Sequence, residues 1–321
     1  MRAAQITALD GPSAVRVVEI DEPPADGRVL IDVHAAGVSF PEVLQTRGRY
    51  QIKPDPPFVP GSEVAGVVRE APDGAGVLPG DRVAAFPGLG GFAEVVAADL
   101  RLVFPLPDEV SFRVGAALPL NYLTVHFALV RRGQLSAGET VLVHGAAGGV
   151  GTAAVQLAAA LGARVIAVVS TPDKAEVAAA AGADEVVLAD GFLARVKELT
   201  GGDGVDVVVD PVGGDRFTDS LRSLRPEGRL LVIGFTGGEI PTVRVNRLLL
   251  NNISAVGVGV GEFWRRDPEY PRAQWTQLLP LLRDGRIAPR IGSVYPLSGA
   301  AAALAEIDER RATGKVVLAV R

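Results

Sequence analysis

Cysteine is absent from this chain of 321 residues. That absence removes disulfides, thiol nucleophiles and every zinc site built on thiolate ligands. Histidine is scarce as well: His34, His126 and His144 are the whole complement, too few and too scattered to rebuild such a site. Basic charge is not in excess, since Asp and Glu number 37 against 32 Lys and Arg. The concentrated cationic face that nucleic-acid phosphates require is therefore not expected. Glycine, proline or charge interrupts each apolar run before the roughly 18 residues of a membrane span. Met1 to Ile6 lacks the basic region and long apolar run of a secretory signal. What is left reads as an ordinary soluble, cytoplasmic protein with no membrane or nucleic-acid partner.

The length suits about two cores, and two cores leave a cleft. From Met1 to about Val96, short β-rich runs alternate with Pro and Gly, as in Ala14 to Ile20, Arg28 to Val33 and Asp81 to Phe86. Such runs predict a mainly β, barrel-like domain, interrupted by one short helix over Pro41 to Gly48. Near Ser111 the pattern changes. Thr140 to His144, Arg164 to Val169, Val186 to Leu188, Val205 to Asp210 and Arg229 to Gly234 read as buried strands, separated by Ala-rich helices such as Gly151 to Leu161 and Asp173 to Ala181. Apolar strands alternating with helices predict a doubly wound parallel sheet, an α/β architecture. Helices over Pro271 to Arg283 and Ser298 to Arg311 and a strand over Lys315 to Val320 form a tail predicted to rejoin the first domain.

The strongest local signal is Thr140-Val141-Leu142-Val143-His144-Gly145-Ala146-Ala147-Gly148-Gly149-Val150-Gly151, leading into an Ala-rich helix. Gly145 lets the chain turn out of the strand, Gly148 lets backbone approach a pyrophosphate, and Gly151 lets helix pack on sheet. The phosphates of a nicotinamide dinucleotide then lie against unpaired amides at the positive end of the helix, with Ala147, Gly149 and Val150 completing the cradle. An Asp or Glu at the end of the second strand would accept from the ribose 2′-hydroxyl of NAD. Here Ser170 and Thr171 follow the strand, with Lys174 one helical turn on. Hydroxyls and a cation welcome a 2′-phosphate where a carboxylate repels it, so the predicted cofactor is NADPH.

With this turn in hand, the chain resembles the quinone oxidoreductase (zeta-crystallin-like) branch of the medium-chain dehydrogenase/reductase superfamily. Further segments carry the resemblance in order: Pro60 to Gly66, Pro79 to Val83, Leu123 to Val125, Asp210 to Gly214 and Arg311 to Leu318. It implies a Rossmann doubly wound parallel sheet at 120–258 and a GroES-like mainly β domain at 1–119 and 259–321. A homodimer joined through Ile253 to Val260 is also implied. Nicotinamide contacts are implied at Val212-Gly213 and Gly234-Phe235, and Lys315 is counted with the cofactor side. Acceptor-side candidates are Ser39, Tyr50, Asn121 and Thr124.

The chain departs from its zinc-dependent relatives at their first ligand position, where Val38-Ser39 stands. It departs from many quinone oxidoreductases at Ser39, Glu42, Leu44 and Ala189. Without a Lewis acid, alcohol oxidation is disfavoured, whereas an electrophilic quinone needs less help. The expected function is zinc-independent reduction of a quinone by NADPH. Alternatives are reduction of an enone, alkenal or enoyl double bond, or a non-catalytic NADPH-binding structural or sensor role.

Overall fold

Apolar runs bounded by glycine and proline in the N-terminal third form ladders. They are β1 (Arg2–Ile6), β2 (Val15–Glu19), β3 (Val29–Val38), β4 (Glu63–Glu70), β5 (Arg82–Ala85), β6 (Val95–Ala98) and β7 (Val103–Pro105), with α1 (Phe40–Gln45) after β3. Helices α2 (Phe112–Gly115) and α3 (Pro119–His126) follow. Then come β8 (Thr140–His144), α4 (Gly149–Ala160), β9 (Arg164–Val169), α5 (Asp173–Ala180), β10 (Glu185–Leu188), α6 (Phe192–Leu199), β11 (Val205–Asp210), α7 (Phe217–Arg222) and β12 (Leu224–Val232). The chain continues through α8 (Asn246–Asn251), β13 (Ser254–Gly257), α9 (Val260–Arg266), α10 (Tyr270–Arg283), β14 (Ile291–Pro296), α11 (Ala300–Asp308) and β15 (Lys315–Ala319). This is a computed structural model describing residues 1–321.

Two units share these elements. The first comprises Met1–Asn121, Pro268–Trp275 and Pro289–Arg321, and the second Tyr122–Asp267 and Thr276–Ala288. In the first, β1 pairs with β2, and a larger sheet runs β14-β15-β3-β4-β5-β7 with β6 also on β3. Its ladders are antiparallel except β14 on β15. Val29, Ile31, Val33, Val64, Val83, Phe92 and Leu318 fill its core. Strand β15 lies on β3, with Val316 opposite Val38 and Ala319 opposite Ala35, so the C-terminal tail closes this sheet.

The second unit holds one parallel sheet in the order β10-β9-β8-β11-β12-β13. Leu142, Ile166, Val208 and Leu230 are buried in its middle, as a sheet covered on both faces requires. Strand order reverses between β8 and β11, and α/β sheets place ligands at such a switch, beyond the carboxyl ends of the strands. The glycine turn after β8 stands at that point.

Several elements differ from the periodicity. Strand β3 runs on to Val38, with a register shift on β4 between Val33 and Ala35 that keeps its continuation paired. Strand β12 starts at Leu224, opposite Val205. The tail is divided more finely than one boundary at 258/259: Gly259 to Asp267 and Thr276 to Ala288 belong with the second unit. Hydrogen bonds explain the latter segment, since Gln277 meets His126 Nε2 at 3.0 Å and Ala288 N donates to Gln156 Oε1 at 2.9 Å. No helix is long and apolar enough to cross a membrane.

Candidate functional site

In the second unit, β8 ends at His144 and the chain turns at Gly145, whose φ of +59° is left-handed. Ala146 N donates to Val168 O at 3.1 Å, tying the turn to β9, and Gly148 N donates to Gly145 O at 2.9 Å. Gly148 precedes α4 in extended backbone and offers its first turn no side-chain cap. The first amides of that helix are therefore not claimed by a capping side chain, which favours an anion. A Cβ on Gly151 would lie 2.0 Å from Gly145 O; only glycine permits that approach of helix to turn. These features fit a dinucleotide pyrophosphate. They bring Gly145, Gly148 and Gly151 together at the first turn of α4, which also holds Gly149 and Val150, with Ala147 buried beside it.

His144 lies beneath the turn and is not a free ligand. Ser220 Oγ is 2.8 Å from its Nε2 and donates to Arg216 O at 3.0 Å. One hydroxyl proton serves one acceptor, so the network assigns the ring proton to Nε2. Burial drives the imidazole pKa down to about 4, against the pull of Asp210. It is a neutral core histidine that touches Phe192 edge-on.

Beyond β9, Ser170 and Thr171 are exposed, and Lys174 is half-buried in the first turn of α5, which also carries Asp173 and Glu176. Ser170 and Thr171 thus stand directly after β9, where an NAD site would present a carboxylate, with Lys174 in the helical turn that follows. Ala189, just past β10, is buried and donates its N–H to Val169 O at 2.8 Å.

The loops after β11 and β12 are joined. Thr236 N and Oγ1 both donate to Pro211 O, at 3.1 and 3.0 Å. Gly237 N donates to Val212 O at 2.8 Å, and Gly214 N to Glu239 O at 3.2 Å. A Cβ on Gly213 would come within 2.8 Å of the Phe235 ring. The segments that carry Val212-Gly213 and Gly234-Phe235 therefore lie against each other. Val212 Cγ2 lies 3.3 Å from where a Gly145 Cβ would stand, so the first of them reaches the glycine turn.

The first unit gathers a polar cluster that the sequence revealed only in part. Ser39 caps α1, and its N–H donates to Glu42 Oε2 at 2.9 Å. Glu42 Oε1 accepts from Ser62 N at 3.0 Å and Ser62 Oγ at 2.5 Å. Lys315 Nζ donates to Ser39 Oγ and to Glu63 Oε1, and Glu63 Oε2 accepts from Leu120 N at 2.8 Å. Lys315 and Ser39, placed on different sides of the chemistry by sequence, are thus direct partners. Asn121 adjoins that capped residue and is buried; Thr124, also buried, falls in the second unit. Tyr50 is half-buried. Burial, then the charge of Glu42, pushes its phenol pKa upward. Burial also raises Glu42, against the Ser62 hydrogen bond and the attraction of Lys315.

Zinc does not suit this cluster. Ser39 Oγ is bound to an ammonium, both carboxylates are engaged, and no three His, Asp or Glu side chains gather to hold a metal.

Comparisons with known proteins agree with this architecture. Residues 149–284 match the family model described as zinc-binding dehydrogenase, and residues 25–108 the alcohol dehydrogenase GroES-like domain. The chain is 39% identical to quinone oxidoreductase-like protein 2 of Bos taurus, over 100% of this chain and 93% of that one. Among solved structures, a probable oxidoreductase from Mycobacterium abscessus is 45% identical with a TM-score of 0.92, covering 100% of this chain and 99% of the other. The quinone oxidoreductase of Thermus thermophilus, solved alone and with NADPH, is 36% identical with a TM-score of 0.86 and full coverage of both chains.

Proposed function

The chain belongs to the zinc-independent quinone oxidoreductase family of the medium-chain dehydrogenase/reductase superfamily, and from that premise we propose that it is an NADPH-dependent reductase whose acceptor is a quinone. The observation that carries the reading is the cradle itself: a helix with no capping side chain, set against Gly145 by a glycine that no other residue can replace.

Bound NADPH supplies the hydride. The protein's part is to hold, orient and exclude. Gly145 to Gly151 take the pyrophosphate, Ser170, Thr171 and Lys174 the 2′-phosphate, and the joined loops at Val212-Gly213 and Gly234-Phe235 the nicotinamide. On the acceptor side, Tyr50 donates a hydrogen bond to the oxygen that gains charge, its raised pKa keeping the phenol protonated. Ser39, Asn121 and Thr124 supply further donors, and Lys315 orients Ser39. An already electrophilic quinone needs no Lewis acid to accept hydride.

Steady-state NADPH oxidation with 1,2- and 1,4-quinones beside 2-alkenals tests the acceptor. Faster turnover with quinones supports the reading, and turnover confined to alkenals moves the activity to double-bond reduction. Tight NADPH binding with no turnover would leave a non-catalytic role. The second half of the proposal is a homodimer through Ile253 to Val260. Strand β13 is the outer strand of its sheet, with Ser254 and Ala255 exposed. Leu249 and Leu250, each 75% exposed, precede it.

A further inference from the structure

Asp210 ends β11, a strand whose only other polar residue is Asp206, and is buried. A buried acidic side chain beside a pyrophosphate cradle calls for a reason of its own. Its Oδ1 accepts from Val212 N and from Gly213 N, both at 2.9 Å. Those amides belong to the loop that meets the glycine turn. The loop's carbonyls are held from the other side, Pro211 O by Thr236 and Val212 O by Gly237. Nothing in its own backbone selects this one conformation. Gly213 and Gly214 are consecutive left-handed residues with φ of +65° and +69°, and two adjacent glycines carry the greatest backbone freedom a chain can have.

From this geometry we infer that Asp210 is a positioning residue for the dinucleotide. It fixes the Val212-Gly213 backbone by accepting two amide protons, and so sets out in advance the surface that meets the nicotinamide. The inference rests on the proposed NADPH site and deepens it. Pre-ordering a loop raises affinity by removing the ordering cost from the binding step. The role belongs to the accepting oxygen rather than to the charge, and the two are separable.

Asp210→Asn keeps an acceptor at Oδ1, whereas Asp210→Ala removes it. NADPH titration of each variant, with thermal unfolding measured in parallel, should give an Asn variant within about threefold of wild type and an Ala variant weaker by roughly tenfold or more. A purely structural role would lower the unfolding temperature and leave the dissociation constant of the folded protein unchanged. Equal affinity in the folded Ala variant and wild type overturns the inference, and so does an Asn variant as weak as Ala. If the Ala variant does not fold, hydrogen exchange of wild-type protein without dinucleotide decides the matter. Slow exchange at the Val212 and Gly213 amides is expected, and exchange at the rate of free amides overturns the inference. Wild-type protein that fails to bind NADPH overturns the function and this inference together, whereas an unaffected Ala variant overturns this inference alone.

Discussion

Lys315 and Glu63 form an ion pair closed to solvent, with side chains 4% and 0% exposed. It spans 252 positions of chain and joins the last strand to the one that follows the Ser39 cap. Its two ends also hold Ser39 Oγ and the Leu120 amide.

Removing one partner of such a pair leaves an uncompensated buried charge. Glu63→Gln should therefore lower unfolding free energy by about 3–5 kcal/mol, while a double change adding Lys315→Met should recover much of that loss. Urea unfolding of the single and double variants measures both. A single variant as stable as its parent would contradict the pairing.

Gly151→Ala places a methyl 2.0 Å from Gly145 O, and a backbone oxygen cannot swing away as a side chain can. Overpacking there should destabilise the protein by about 1–3 kcal/mol and abolish measurable NADPH binding. Gly261, in the first turn of α9, has nothing within 4 Å of its Cβ position. Gly261→Ala should be neutral or stabilise by up to about 1 kcal/mol. Thermal unfolding and NADPH titration of the pair separate the local clash from a general effect of adding a methyl.

The 2′-phosphate reading predicts an asymmetric response. Lys174→Ala should weaken NADPH by about tenfold, roughly 1.4 kcal/mol, and leave NADH nearly unchanged. Ser170→Asp should reverse the preference by setting a carboxylate against the phosphate. Parallel titrations with the two cofactors measure this, and equal losses for both would move Lys174 away from that phosphate.

Glu42 predicts a pH dependence. Burial is the main cause of its upward shift. A carboxyl whose folded pKa exceeds its unfolded value contributes stability that is complete below about pH 4.3 and is lost as pH rises through the folded value. Glu42→Gln abolishes that titration. Its stability relative to the parent should therefore improve as pH rises above about 4 and level off once the folded carboxyl of the parent has ionised, on top of a constant term for altered hydrogen bonds. Urea unfolding in pH steps reads the difference, and a difference moving the other way would show that the Ser62 and backbone donors outweigh burial.

Dimer formation through the outer strand is checked by Ala255→Pro, which removes an amide from the exposed edge of the sheet. Sedimentation should show a parent dimer and a variant shifted to monomer.

The glycine turn was readable because its chemistry is local. A sharp turn, a close helix and a phosphate each demand glycine within seven residues of one another, and neighbouring β-α units supply the context. Strands β8, β9 and β11 were legible to the residue, because two-sided burial leaves apolar positions between their ends, Asp206 of β11 excepted. Long-range partners were not. Glu63 stood in view as a charge opening an apolar strand, yet nothing in the sequence paired it with Lys315. Asp210 was visible as the acid ending β11, but its two amide partners depend on the φ angles of Gly213 and Gly214. The tail's division also escaped the sequence, since Gln277 and Ala288 are held by His126 and Gln156 from distant helices.

The pairing of β15 with β3 has a consequence for synthesis. Translation delivers the first unit's early strands at the outset, but Val38 does not meet Val316 until almost all of the chain has emerged. The parallel sheet between them is complete by Gly257. Domains generally fold as units as they leave the ribosome, so the part begun first is finished last. A nascent chain arrested before Lys315 should carry a protease-resistant β8 to β13 core while β3 still presents an unmatched edge.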